Sequence, residues 1–201
     1  MEKRDEILFK AGALFMLYGI KSVSMDDLAR EIGISKKTIY TFFKDKNAIV
    51  ESVVAGQMGQ MECDCITFQE NSVNAVKELY SVINLLSENM GNIHPSVFYD
   101  LQKYHPGAQK LIDTHEKEYV LPIFLKNIER GRKEKLYRTD FDSSIVAQIY
   151  VTVNDAIFKH AIIGRPESTV KQVFSESLHF ILFGMATLEG KEYIRKHLSH
   201  E

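Results

Sequence analysis

Cysteine is almost missing from this chain: Cys63 and Cys65 are the only two in 201 residues. One residue apart on a helix, they point to different faces, a geometry that resists a disulfide. With no histidine beside them, they are also too few for a metal site. The expectation is two ordinary reduced thiols and no metal. Proline is scarce too, and four prolines without any Pro/Gly/Ser-rich run argue against a long linker. No window approaches the length and apolarity of a membrane span. Met1-Glu2-Lys3-Arg4-Asp5-Glu6 lacks the apolar core of a secretory signal, so a cytoplasmic protein with no membrane partner is expected. Strand patterns, internal repeats and low-complexity tracts are all lacking. No nucleophile with a base, metal cluster or phosphate loop stands at recognisable spacing, which argues against an enzyme and implies no cofactor.

What is present is ordinary globular material, with 45% hydrophobic and 26% charged residues and ample length for a core. Its periodicity is helical throughout. Ile7, Leu8, Ala11, Leu14, Phe15 and Tyr18 share helical spacing up to a stop at Gly19. Ser24 with Asp27 matches a capping box before Leu28, Ala29 and Ile32, and Gly33 ends that second helix. Ser35 caps a third, whose Ile39 and Phe43 close a three-helix core with Phe15, Leu28 and Ile32. A fourth, connecting helix is expected from about 46 to 63. Further helices follow over about 72–90 (with Val73 among its apolar positions), after Pro95, over 108–135 with a kink or break at Pro122, over 143–163 and over 168–188. The 143–163 helix repeats Ile145, Ile149, Val153, Ile157 and Ala161 on one face. The 168–188 helix is apolar on nearly every side, with Leu178, Phe180, Ile181, Leu182, Phe183 and Met185, and must be covered all round. The fold class is therefore all-α. A three-helix helix-turn-helix head over 1–46 precedes residues 47–201, which hold the connector and a bundle of five or six helices.

Net charge is only −2, and its distribution says more than its sum. Residues 1–50 hold nine Lys/Arg against seven Asp/Glu, while the remainder holds sixteen against twenty. From Lys36 to Lys46 four lysines (Lys36, Lys37, Lys44 and Lys46) face one aspartate. A local basic patch on the third helix is a surface suited to phosphates, carried by a chain that is otherwise acidic.

The run from Ile7 through Lys46, with Ala11, Leu14-Phe15, Gly19, Ser24, Leu28-Ala29, Gly33-Ile34-Ser35, Thr38-Ile39-Tyr40, Phe43-Lys44 and Lys46, resembles the DNA-binding domain of the TetR family of bacterial transcriptional regulators. Lys37 departs from the glycine or alanine that many members carry there. The resemblance implies a homodimer whose heads bind a palindromic double-stranded operator. It also implies a variable C-terminal domain that binds a small-molecule effector, with the dimer interface on the last two long helices, here 143–163 and 168–188.

Within that frame the start of the third helix enters the major groove, placing Lys36 and Lys37 near base edges, where lysine donates to guanine. Thr38, Tyr40, Lys44 and Lys46 are the phosphate-holding candidates. Ser24 and Ser35 are caps first and candidate DNA contacts second. A merely solvated face is the plainer reading of the lysines, and Phe42 and Phe43 are expected in core or hinge packing. Lys3 and Arg4 are expected in a frayed terminus. For the effector the candidates are Tyr99, Tyr104, His115 and Tyr119, near the Pro122 break where helices can part. The plainer reading is partly buried aromatics with their polar tips wet or paired. The function expected is a ligand-responsive repressor. The alternative is a ligand-binding or scaffolding protein with no transcriptional role.

Overall fold

The computed structural model describes residues 2–94, 96–160 and 170–198. Their helices are α1 (Lys3–Tyr18), α2 (Met25–Ile32), α3 (Lys36–Phe42), α4 (Lys46–Asn71), α5 (Ala75–Gly91), α6 (Ser96–Tyr104), α7 (Pro106–His115), α8 (Leu121–Lys133), α9 (Ser143–His160), α10 (Val170–Met185) and α11 (Leu188–His197), with a π-helical turn at Glu116–Val120. The described residues contain no strand, only an isolated antiparallel bridge between Tyr137 and Ala186. The chain is all-α, as its periodicity requires. Pro95, Ala161, Gly164-Arg165-Pro166 and Ser168 fall outside the described residues.

Chain contacts divide the protein into two compact units, Met1–Met61 with Asn92–His115, and Glu62–Gly91 with Glu116–Glu201. In the first, Ile7, Ala11 and Phe15 of α1 meet Leu28 and Ile32 of α2, Ile39 of α3 and Phe43, all buried. Gly19 ends α1 at φ 82°, donating its N–H to the Phe15 carbonyl at 2.9 Å. The core also takes in Ile49 and Val50 of α4, Val97 and Leu101 of α6, and Ala108 of α7. Pro106 does not break the chain before a helix at 108. It occupies the first position of α7, where its missing N–H costs nothing.

In the second unit the helix expected from residue 72 starts later. Asn74 accepts the Lys77 N–H at 2.9 Å at its start, leaving Val73 before it and 77% exposed. The break near Pro122 falls on the π-helical turn, so the proline sits in the first turn of α8. Arg130 ties this unit together, donating to Glu78 at 2.7 Å, to Glu134 at 2.8 Å and to the Gln69 and Ser72 carbonyls at the end of α4. That anchorage accompanies an α4 eight residues longer than its apolar pattern suggested.

On α9 the buried residues are Ala147, Tyr150, Asn154 and Ile157, whereas Ile145 and Ile149 are 57% and 48% exposed. On α10, Phe174, Leu178, Leu182 and Met185 are buried but Phe180 is 82% exposed. The helix expected to be covered all round is bare on one side in a single chain. The terminal α11 is an addition to the expected helices, since it carries few apolar residues and so little periodicity to mark it.

Candidate nucleic-acid interface

Two short helices and the turn between them make the candidate interface. The capping box before α2 is complete: the Ser24 hydroxyl accepts the Asp27 N–H at 3.2 Å, and the Asp27 carboxylate accepts the Ser24 N–H at 2.9 Å. The same hydroxyl donates to Asp27 at 2.6 Å, and these bonds hold the Asp27 carboxyl below its usual pKa. Ser24 is therefore occupied as a cap. Gly33 stops α2 at φ 75°, a left-handed conformation in which its N–H meets the Ala29 carbonyl at 3.0 Å.

Ser35 then starts α3, accepting the Thr38 N–H at 3.1 Å with its hydroxyl 2.9 Å from that of Thr38. Ile39 and Phe43, four residues apart, point into the core. This phase turns Ser35, Lys36, Lys37, Tyr40, Thr41 and Lys44 outward, with Thr38 half-buried. Tyr40 is 50% exposed. Phe42, expected in packing, is 42% exposed, because two adjacent residues at a helix end cannot both face one core.

Lys36 does not point freely into solvent. Its ammonium lies 3.0 Å from the Asp26 carboxylate on α2, and that hydrogen bond raises its pKa. An exposed pair of this kind is readily exchanged for a phosphate or a base edge. Asp26 thus pre-positions Lys36 between the two helices, a role that spacing alone did not announce. Lys37 and Lys44 project from exposed positions on α3 and just after it.

Lys46 is placed differently. Half-buried, it donates to the Ile20 and Val23 carbonyls, each at 2.5 Å, and lies 5.8 Å from the centre of the Phe15 ring. Burial pulls its pKa down. Two of its three hydrogens are committed to the loop between α1 and α2. At the N-terminus, Arg4 lies over the Phe43 ring at 5.3 Å, belonging to a helix where a frayed end was expected.

The four residues named for an effector pocket divide between the units. Tyr99 and Tyr104 are on α6, 53% and 37% exposed, in edge-to-face contact with ring centres 6.2 Å apart. Lys103 donates to the Tyr99 hydroxyl and Lys21 to that of Tyr104 at 3.1 Å. They form a surface cluster, because the buried face of α6 is taken by Val97, Asp100 and Leu101. His115 is half-buried at the end of α7. In the second unit, half-buried Tyr119 donates to the Glu62 carbonyl at 3.1 Å, and burial pushes its pKa up to about 12. Cys63 is exposed, and Cys65 is buried with its thiol pushed up to about 11.

What α2 and α3 offer is an exposed surface of cations and hydroxyls over a buried apolar footing. The family model described as "Bacterial regulatory proteins, tetR family" matches residues 7–53, a span that contains this whole constellation. Residues 7–53 form a TetR-family N-terminal domain. The HTH-type transcriptional regulator YvaF of Bacillus subtilis is 27% identical over 182 residues, covering 84% of this chain and 87% of that protein. The transcriptional repressor KstR2 of Mycobacterium tuberculosis is 23% identical over 197 residues, covering 94% of each. Among solved structures, the regulator FadR of Bacillus subtilis, in complex with stearoyl-CoA, superimposes with a TM-score of 0.70 at 18% identity, covering 91% of this chain and all of that one. Among the described residues, no helix is long and apolar enough to cross a membrane.

Proposed function

We propose that this chain is a homodimeric TetR-family repressor whose heads, over residues 1–46, bind a palindromic operator and whose remaining residues, 47–201, bind a small-molecule effector that releases it. The reading is carried by the surface of α3, where Lys36, Lys37, Tyr40 and Lys44 stand exposed over the buried anchors Ile39 and Phe43. Lys36 and Lys37 read base edges; Ser35, Thr38, Tyr40 and Lys44 hold phosphates. Ser24 and Lys46 serve first to shape the head, one as the cap of α2 and the other as a tie to the α1–α2 loop. Repression is supported by the similarity to KstR2, and effector binding by the fold shared with FadR.

Dimerisation through α9 and α10 is supported by the uncovered apolar positions Ile145, Ile149 and Phe180. Two heads on one duplex face must match groove centres about 34 Å apart or a multiple of it. An effector releases DNA only by preferring the state in which that spacing is lost. The long α4, continuous from the head into the second unit, is the covalent route by which such a preference reaches the heads. The relatives are transcriptional regulators, and the proposal includes no catalytic step. The site of action is the cytoplasm, where the operator is.

The test is binding of the full chain to sequences selected from random DNA, at one fixed salt concentration. The double variant K36A/K37A is expected to lose specific affinity by roughly 10- to 100-fold, as for one or two lost base contacts, while its dimer persists. Selection that yields no preferred sequence would favour a ligand-binding or scaffolding protein instead. Unchanged preference in the double variant would remove α3 from the reading role.

A further inference from the structure

Four helices of the second unit close into a ring. Helix α5 packs on α8 and α10, and α9 packs on the same two, so α5 and α9 occupy opposite corners. Their directions follow from single contacts. Glu134 accepts the Ala75 N–H at 2.7 Å, and Asn127, about two turns earlier on α8, donates to the Ala75 carbonyl at 3.0 Å, which sets α5 and α8 antiparallel. Ser143 at the start of α9 donates to Glu129 at 3.1 Å while Tyr150 stacks on Phe124, earlier in α8, with ring centres 4.1 Å apart, so α9 runs antiparallel to α8. Ala186 at the end of α10 bridges to Tyr137, whose hydroxyl donates to the Ala75 carbonyl, while His179 meets Tyr80 at 5.7 Å, so α10 runs antiparallel to α5.

The interior of the ring is apolar, with Ile83, Ile128, Phe174, Leu178 and Leu182 buried to within 1%. Each corner helix nevertheless brings one polar atom inside that has no hydrogen-bond partner among the described residues: the Ser87 hydroxyl on α5 and the Asn154 carbonyl oxygen on α9. Their residues are only 4% and 7% exposed. Ser87 lies about 18 Å along α5 from Ala75, and Asn154 about 6 Å beyond Tyr150. Both are displaced toward the same end of the ring, away from the Tyr137–Ala186 bridge. A buried group left unmatched lowers stability, and its presence in an otherwise apolar core needs a reason. Charge is no part of that reason. Among the described residues of these helices Glu78 is the buried carboxylate, paired with Arg130 at 2.7 Å.

We infer that Ser87 and Asn154 are the polar recognition groups of the effector site, and that the effector is an uncharged, largely apolar alcohol. A hydroxyl both donates and accepts, so it satisfies the Asn154 oxygen and the Ser87 hydroxyl alike. An apolar body then replaces interior contacts without burying a second charge. The inference rests on the reading of the chain as effector-responsive.

The experiment uses the full chain with three probes, 1-decanol, 2-decalol and sodium decanoate, followed by thermal unfolding and by titration. At least one alcohol is expected to raise Tm and decanoate to do so less. Ser87→Ala, which removes the unmatched hydroxyl, is expected to raise the Tm of the unliganded protein by about 2–4 °C. It and Asn154→Leu are each expected to weaken alcohol binding about tenfold, the equivalent of one hydrogen bond. Because Asn154→Leu also disturbs the contact with Tyr150, Ser87→Ala is the deciding variant if the other fails to fold. Overturning results are a lower Tm in Ser87→Ala, alcohol affinity unchanged in the variants, or decanoate binding as well as either alcohol. Operator binding measured in parallel separates the two failures. Sequence-selective DNA binding without any alcohol effect sinks this inference alone, and its absence sinks the regulatory reading.

Discussion

The Asp100 carboxylate accepts the backbone N–H of Lys21 at 2.8 Å, joining α6 to the turn between α1 and α2 across 79 residues of sequence. Asp100 is 3% exposed, and close by the His94 N–H donates to the Met16 carbonyl at 2.7 Å. A stretch far along the chain thus completes the first unit by holding the loop that orients α2.

Replacing Asp100 with alanine leaves that amide without its buried acceptor and is expected to destabilise the protein by about 2 kcal/mol. Asparagine at this position keeps an oxygen in place, so D100N should lose clearly less. Thermal unfolding of the two variants against the parent checks this. Equal, negligible effects from both would show that the contact contributes nothing.

Lys46 and Lys37 lie nine residues apart and are expected to fail in opposite ways. K46M uncovers the Ile20 and Val23 carbonyls and should lower stability by about 2 kcal/mol, a Tm drop of roughly 4–8 °C for a chain of this size. K37A should leave Tm within about 1 °C and weaken DNA binding, as expected of an exposed side chain. A K46M protein as stable as the parent, but deficient in DNA binding, would return Lys46 to the phosphate-holding set.

His105 supplies the pH dependence. It is 7% exposed and shares a 2.7 Å hydrogen bond with Asn47; burial, followed by the charge of Lys46, pushes its pKa below the usual 6.5. The unfolded chain therefore binds a proton before the folded one does. The stabilisation is complete above about pH 6.5 and is lost as pH falls through the depressed folded value. Urea unfolding at pH 7.5 and at pH 5.5 should show this loss, and His105→Gln should flatten it. A parent and variant with the same slope between those values would remove His105 as the cause.

How far the residues could be read in advance is clear from a few of them. Ser24, Asp27, Gly33 and Ser35 announced the boundaries of α2 and α3 because caps and left-handed stops act within one turn of chain. Ile39 and Phe43 announced the phase of α3, and that phase alone decides that Lys37, Tyr40 and Lys44 face outward. The exposed face of α3 was legible for that reason. Asp26 beside Lys36, and Lys46 turned onto two loop carbonyls, were not, since each depends on a partner brought near by the packing of other helices.

In the second unit the same limit appears on a larger scale. Helical periodicity predicted helices over 143–163 and 168–188, which the described residues carry over 143–160 and 170–185, but a stripe of Ile145 and Ile149 has no mark of which neighbour covers it. The fold instead buries Ala147, Tyr150 and Ile157 and leaves that stripe bare. Likewise Tyr99 and Tyr104 are aromatic wherever they sit, and only the seating of α6 by Asp100, Val97 and Leu101 put them on the surface. The amino-acid order settled the helices, their caps and the exposed face of α3, because these follow from backbone hydrogen bonding and side-chain phase over a few residues. Partners at long range, and the buried polar atoms of Ser87 and Asn154, were decided by tertiary packing, because pairing across tens of residues depends on which faces the whole chain brings together.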